Sequence, residues 1–331
     1  MLAKSTHVFA QHGGVNLECD VYEDADSYPP DSPVFLFFHA GGLVGWAREH
    51  IPPWLVQVCY QKKWPLISAD YRFLPQAKAE GLLEDISAAY YFAWTWRSDS
   101  RRVIVGGASA GFFLATLTAH HLTPKPLALL SITGISTFQH PFFSSSTLLT
   151  PKPLTDENMA PHLNMDGPIA TRTAAGPTPF VLERLTSSGA KNTDYVPPKP
   201  EDEDARNGPG YSRGMLYDYY LYHNKFPVLV GSIDPGYGPV FVESGEEKKL
   251  APGKEDWPPT VIIHGDDDYD VSMDVSEHMV NALGEERVSL FLAGGQGHLF
   301  EREWFLEDEE DAMGAVRDAV ERLVAIVQGT S

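Results

Sequence analysis

Short runs of consecutive apolar residues recur along the chain, each closed by glycine or a polar turn, and stretches of helical period lie between them. Val34-Phe35-Leu36-Phe37-Phe38 is such a run, ending in His39 and a glycine pair, as a strand covered on both faces would. Pro65–Ala69, Val103–Gly106, Leu127–Ile132, Val261–His264 and Val288–Leu292 predict further buried strands. The intervening patterns predict helices at Glu49–Lys62, Leu82–Arg97, Phe112–His121, Val275–Leu283 and Glu307–Val327. The last would open on an acidic first turn that suits the helix dipole. Strand and helix in alternation imply an α/β fold with a mostly parallel sheet. Ahead of it, two alternating runs between His7 and Tyr22 flank His12-Gly13-Gly14 and predict an antiparallel hairpin, followed by turn residues through Tyr28, Pro29 and Pro30.

Between Gly134 and Pro259 the alternation stops, and proline, serine, aromatics and an acidic run, Glu201-Asp202-Glu203-Asp204, take over. The expectation is a core made of residues 1–133 and 260–331, with 134–259 as an inserted lid or cap. Clustered like charges favour hydration, so the acidic run reads as a solvated loop. Met215 to Tyr222 reads as an aromatic helix, packed on the core in preference to touching substrate.

At 331 residues the chain can hold one α/β core with a large excursion. A formal net charge of −20 repels nucleic-acid phosphates and anionic lipid headgroups, so neither is an expected partner. Two cysteines, Cys19 and Cys59, are too few for a disulfide framework and match no metal spacing. Met1 to Ala10 carries Lys4, Ser5, Thr6 and His7 where a signal peptide needs an apolar stretch, and no run elsewhere could span a bilayer. A soluble, cytoplasmic protein without a cofactor or metal is therefore expected. Its oligomeric state is left open, with a homodimer as one option.

Gly107-Ala108-Ser109-Ala110-Gly111 follows the strand at Val103 and precedes the helix near Phe112, the setting of a G-x-S-x-G nucleophile elbow. Such a turn strains the serine backbone and exposes its hydroxyl at a helix N-terminus. A base and an acid should then follow in chain order on loops after later strands. His298, in the glycine-rich loop after Val288–Leu292, is the candidate base. For the acid, the loop after His264 offers Asp266, Asp267, Asp268 and Asp270. Asp266, Asp268 and Asp270 with Glu277 also copy the spacing of an EF-hand loop, but Val271 stands where that loop needs glycine and a strand leads into it. An acid that orients the imidazole is the better reading. His39-Ala40-Gly41-Gly42 ends an early strand where an oxyanion hole is expected, with the N–H of Ala110 completing it.

With the elbow, the His39 loop and Ser68-Ala69-Asp70-Tyr71-Arg72-Phe73-Leu74-Pro75 in order, the chain resembles the hormone-sensitive-lipase-like branch of the α/β hydrolases, the α/β hydrolase-3 group. The resemblance runs from about Val34 to Val327, is weak in the lid, and includes Glu84-Asp85-Ile86 at the start of a helix. Fungal members look most similar, which suggests a place in fungal secondary metabolism. The resemblance implies a mostly parallel eight-stranded sheet flanked by helices, with an inserted lid. It also implies hydrolysis of a carboxylic ester, with Ser109, Asp268 and His298 as triad and Gly41, Gly42 and Ala110 as oxyanion donors. Asp268 is singled out because it stands where the family's H-G-x-x-D pattern puts its acid. Ala40, Ala108 and Gln76 depart from the family pattern, and they bear on substrate preference and pocket polarity. Asp70, Tyr71 and Arg72 read as scaffold.

The expected partner is a small ester-like molecule, apolar or aromatic, with Trp46, Tyr217 and Tyr220 as pocket candidates. Two other readings use the same scaffold. One is biosynthetic acyl transfer, cyclisation or carbon–carbon bond cleavage, and the other is a non-catalytic small-molecule receptor.

Overall fold

A computed structural model describes residues 1–26, 29, 31–173, 176–197, 212–237 and 254–329. Strands β1 (Leu2–His12) and β2 (Val15–Asp24) form the expected antiparallel hairpin, turning on Gly13 and Gly14, both at positive φ. Six parallel strands follow: β3 (Val34–Phe38), β4 (Leu66–Ala69), β5 (Val103–Ala108), β6 (Ala128–Ile132), β7 (Thr260–Gly265) and β8 (Val288–Ala293). Among the described residues they join the hairpin in an eight-stranded sheet of order β1-β2-β4-β3-β5-β6-β7-β8, with β2 antiparallel to β4.

Helices cover both faces, which is why the strands read as unbroken apolar runs. Alternate residues of β3 show the division. Val34, Leu36 and Phe38 pack with α2 (Lys78–Trp94), α3 (Ala110–His121) and α7 (Asp274–Leu283), where Leu82, Phe113 and Met279 are fully buried. Phe35 and Phe37 pack with α1 (Pro53–Lys62) and α8 (Met313–Gln328) on the opposite face. The chain runs from β3 outward to β4, then back past β3 to β5. The loops after β3 and β5 therefore meet at a reversal of strand order, the place where sheets of this kind bind ligands.

Three helix starts differ from the expected ones by four residues or more. α1 begins at Pro53 rather than Glu49, because the ring of Pro53 disfavours helical ψ at the residue before it, and Pro52 stays extended at ψ 135°. α2 begins four residues early, at Lys78, and stops at Trp94. α8 begins at Met313 rather than Glu307, so no acidic residue stands in its first turn. The acids ahead of it are used elsewhere: Glu307 accepts from Gln57 Nε2 at 2.8 Å, and Asp308 pairs with Lys191 at 2.5 Å.

Between β6 and β7 the described residues form short pieces, including α4 (Asp156–Leu163), α5 (Leu216–Tyr222) and α6 (Phe226–Val230). They seat on aromatic contacts: Phe138 stacks on Phe226 with ring centroids 4.5 Å apart, and Tyr217 and Tyr220 also meet Phe226. Arg213 ties this region to the sheet side by donating to the carbonyls of Val44 and Leu74 and to Gln76 Oε1. The acidic run Glu201–Asp204 lies outside the described residues.

Candidate active site

Ser109 joins β5 to α3 at φ 51° and ψ −126°, a conformation that the surrounding structure must impose on an L-residue. Its N–H donates to the carbonyl of Ile132 at 2.9 Å, and its own carbonyl accepts from Phe112 and Ile135. Close packing explains the two elbow glycines. A Cβ on Gly107 would lie 2.2 Å from the backbone of Gly111, and one on Gly111 would lie 2.2 Å from the carbonyl oxygen of Phe38.

His298, after β8, places Nε2 2.9 Å from Ser109 Oγ and Nδ1 2.7 Å from Asp268 Oδ2. Asp268, after β7, accepts the N–H groups of Asp270 and Val271 through its other oxygen. His264 Nε2 stands 3.3 Å from Asp268 Oδ2, and its Nδ1 lies 2.8 Å from Ser276 Oγ. Burial alone would raise the Asp268 carboxyl, but hydrogen bonds from His264 and His298 hold it well below the usual carboxylate range. The neighbouring acids have other tasks. Asp266 accepts from the Gly295 N–H at 2.6 Å, Asp267 is exposed, and Asp270 lines a cavity. Among the described residues the one His/Cys/Asp/Glu group close enough to hold a metal is His12, Glu84 and Asp85, and Arg72 already pairs with both of its carboxylates.

The loop after β3 faces Ser109. Gly41 and Gly42 turn at φ +112° and +65°. A Cβ on Gly42 would lie 2.7 Å from the Tyr217 ring. Among the described residues, no acceptor takes the N–H of Gly41, Gly42 or Ala110. His39 is buried and holds the loop from behind: it stacks on Tyr71 at 4.4 Å, and Tyr71 Oη donates to the His39 carbonyl at 3.0 Å. Asp70 pairs with Arg48 at 2.5 Å and Arg72 with Asp85, so these residues brace the loops and touch neither Ser109 nor His298.

A cavity of about 190 Å³ is lined by Ser109, His298, Gly41, Gly42, Trp46, Tyr217, Asp218 and Asp270. Trp46 and Tyr217 thus stand on its wall. Tyr220 does not line it, because its ring turns into the core and is 3% exposed. Beyond Trp46 lies a second, narrower slot, which shares Ala40, Trp46 and Leu299 with the first.

A family model described as the alpha/beta hydrolase fold matches residues 35–175, the segment holding the His39 loop and the elbow. Over that segment this chain is similar to the α/β hydrolases, and the eight-stranded sheet has their fold. Lipase 2 of Moraxella sp. (strain TA144) is 33% identical over 115 residues, 33% of this chain and 26% of that protein. Probable carboxylesterase M8 of Phoma sp. is 27% identical over 109 residues, 28% of this chain and 34% of that protein. The chain thus matches well under two thirds of either relative's length. A Staphylococcus aureus protein of unknown function shares the fold of this chain at TM-score 0.63 and 19% identity, with 98% of this chain and 99% of that one covered.

Two residues of the site carry roles that the sequence does not announce. His264 reads as the end of a strand and the first position of the H-G-x-x-D pattern, with no sign that its ring meets Asp268. Glu301, fully buried beside the slot, sits in Glu301-Arg302-Glu303, a pattern that reads as exposed. No helix among the described residues is long and apolar enough to cross a membrane.

Proposed function

We propose that the chain hydrolyses a carboxylic ester through an acyl-enzyme on Ser109, with His298 as general base and Asp268 as the acid that orients it. The observation that carries this reading is the unbroken relay from Ser109 Oγ to His298 Nε2 at 2.9 Å and from His298 Nδ1 to Asp268 at 2.7 Å. In the first step His298 takes the hydroxyl proton as Ser109 Oγ attacks the carbonyl carbon. Asp268 stabilises the imidazolium so formed and keeps Nδ1 protonated. The negative oxygen of the tetrahedral intermediate is received by the N–H groups of Gly41, Gly42 and Ala110, a contribution of about 3–4 kcal/mol per donor in such sites. As the intermediate collapses, the imidazolium returns its proton to the leaving alcohol. Water then repeats the sequence on the acyl-enzyme.

Residues 134–259 act in this reading as a lid, with Tyr217 closing the cavity over the glycine loop. The substrate is a small molecule with an apolar or aromatic arm, in keeping with Trp46 and Tyr217 on the cavity wall. The test is steady-state hydrolysis of p-nitrophenyl esters of increasing acyl length by the wild type and Ser109→Ala. Length-dependent turnover that the substitution lowers by ~10⁴-fold or more is expected. Turnover that survives Ser109→Ala would overturn the assignment.

A further inference from the structure

Glu301 lies three residues beyond His298, is fully buried, and has no hydrogen-bond partner at either carboxyl oxygen. Such a group costs stability in the folded protein, and a native structure that keeps one calls for an explanation. Glu301 lines the slot beyond Trp46, whose other walls include Ala40, Ile51, Pro52, Ala108 and Leu299. Ala40 and Ala108 flank the glycine loop and Ser109, so the slot starts beside the reacting atoms. Each presents only a methyl group there.

We propose that Glu301 is a specificity-determining residue, whose carboxyl group hydrogen-bonds a hydroxyl carried on the otherwise apolar arm of the ester that enters this slot. The proposal rests on the serine-hydrolase reading and names its substrate class more narrowly. Burial pushes the carboxyl up to about 7, so the uncharged acid is well populated near neutrality. That form offers one donor and one acceptor, which is the complement of a hydroxyl. Arg302 on the same wall disfavours a cationic guest, and Glu303 beside it disfavours an anionic one. His50 is already committed, with Nδ1 2.9 Å from the Ala47 N–H and Nε2 3.1 Å from the Pro177 carbonyl. Of the polar residues on this slot, Glu301 is the one whose side-chain oxygens are buried and unpartnered. In the present packing its oxygens do not touch solvent, so the proposed contact requires the side chain to turn into the slot.

The experiment compares kcat/KM for matched esters with and without a hydroxyl: benzoate against 2-, 3- and 4-hydroxybenzoate p-nitrophenyl esters, and benzyl against hydroxybenzyl acetates. The wild type should prefer one hydroxylated member over its parent by ~10-fold or more, since a buried group built to hydrogen-bond a hydroxyl rejects the analogue without one. Glu301→Gln, which keeps a donor and an acceptor, should retain part of that preference. Glu301→Met should abolish it, bringing the ratio of the two kcat/KM values to about one. A merely structural role would lower both rates together or shift Tm and leave the ratio alone. An unchanged ratio in Glu301→Met, or no preference in the wild type, would overturn the proposal and leave the hydrolase reading standing. No cleavage of any ester, with Ser109 inert to a fluorophosphonate, would instead remove the hydrolase reading itself.

Discussion

In the proposed function, Ser109 and Asp268 take their roles from local environment. The serine hydroxyl is brought forward by a strained backbone at φ 51°, and the carboxylate is held charged by the two imidazoles that bond it. Replacing Asp268 with Asn keeps the shape of the site but removes the acceptor that sets the imidazole tautomer, and kcat should fall by about 10⁴-fold. The same residue should leave a mark on stability. Its carboxyl is depressed below the ordinary 3.8, so its stabilisation is present above that pH and is lost as pH falls through the folded value. Urea unfolding of the wild type and Asp268→Asn should therefore show a gap at pH 7 that narrows below pH ~4. A gap that widens on acidification would contradict the assignment of charge.

The elbow and the strands on either side of it were the most legible elements. Val34–Phe38 and Val103–Gly106 are apolar at every position because helices bury both faces, and that pattern survives in sequence without any knowledge of neighbours. Order along the chain then placed His298, since a glycine-rich loop after a strand is a local signal. Boundaries and burial were harder to read. The start of α8 moved because Glu307 and Asp308 are drawn into contacts with Gln57 and Lys191, residues far away in sequence. Tyr219, Tyr220 and Tyr217 share one helix, yet two enter the core and one faces the cavity, a choice set by where Phe226 and the glycine loop lie. Close packing at the elbow leads to a further prediction. Gly111→Ala would put a methyl 2.2 Å from the Phe38 carbonyl, and β3 and α3 would have to part. Chemical denaturation should show a loss of about 1–3 kcal/mol or more, with activity falling further than stability. A variant as stable and active as the wild type would mean that this contact is relaxed elsewhere.

Across the whole molecule, burial of uncharged histidines sets a limit on acid tolerance. His39 is pushed down to about 3 and His120 to about 2, both by burial, from an ordinary 6.5. The unfolded chain binds those protons first, so stability from these groups is full above pH 6.5 and declines as pH falls. His120→Gln removes one of them, and its melting temperature should drop less than that of the wild type between pH 7 and pH 4. Parallel losses would show that His120 does not contribute. At this same scale four loops, from β3, β5, β7 and β8, converge at one edge of the sheet, and in the proposed function they activate a single hydroxyl. The most direct measurement is reaction of the folded protein with a fluorophosphonate, followed by intact mass and peptide mapping. One adduct is expected, on Ser109, absent from Ser109→Ala and greatly slowed in His298→Ala. A folded protein that takes no adduct, or one that carries it on another residue, would overturn the role proposed for Ser109.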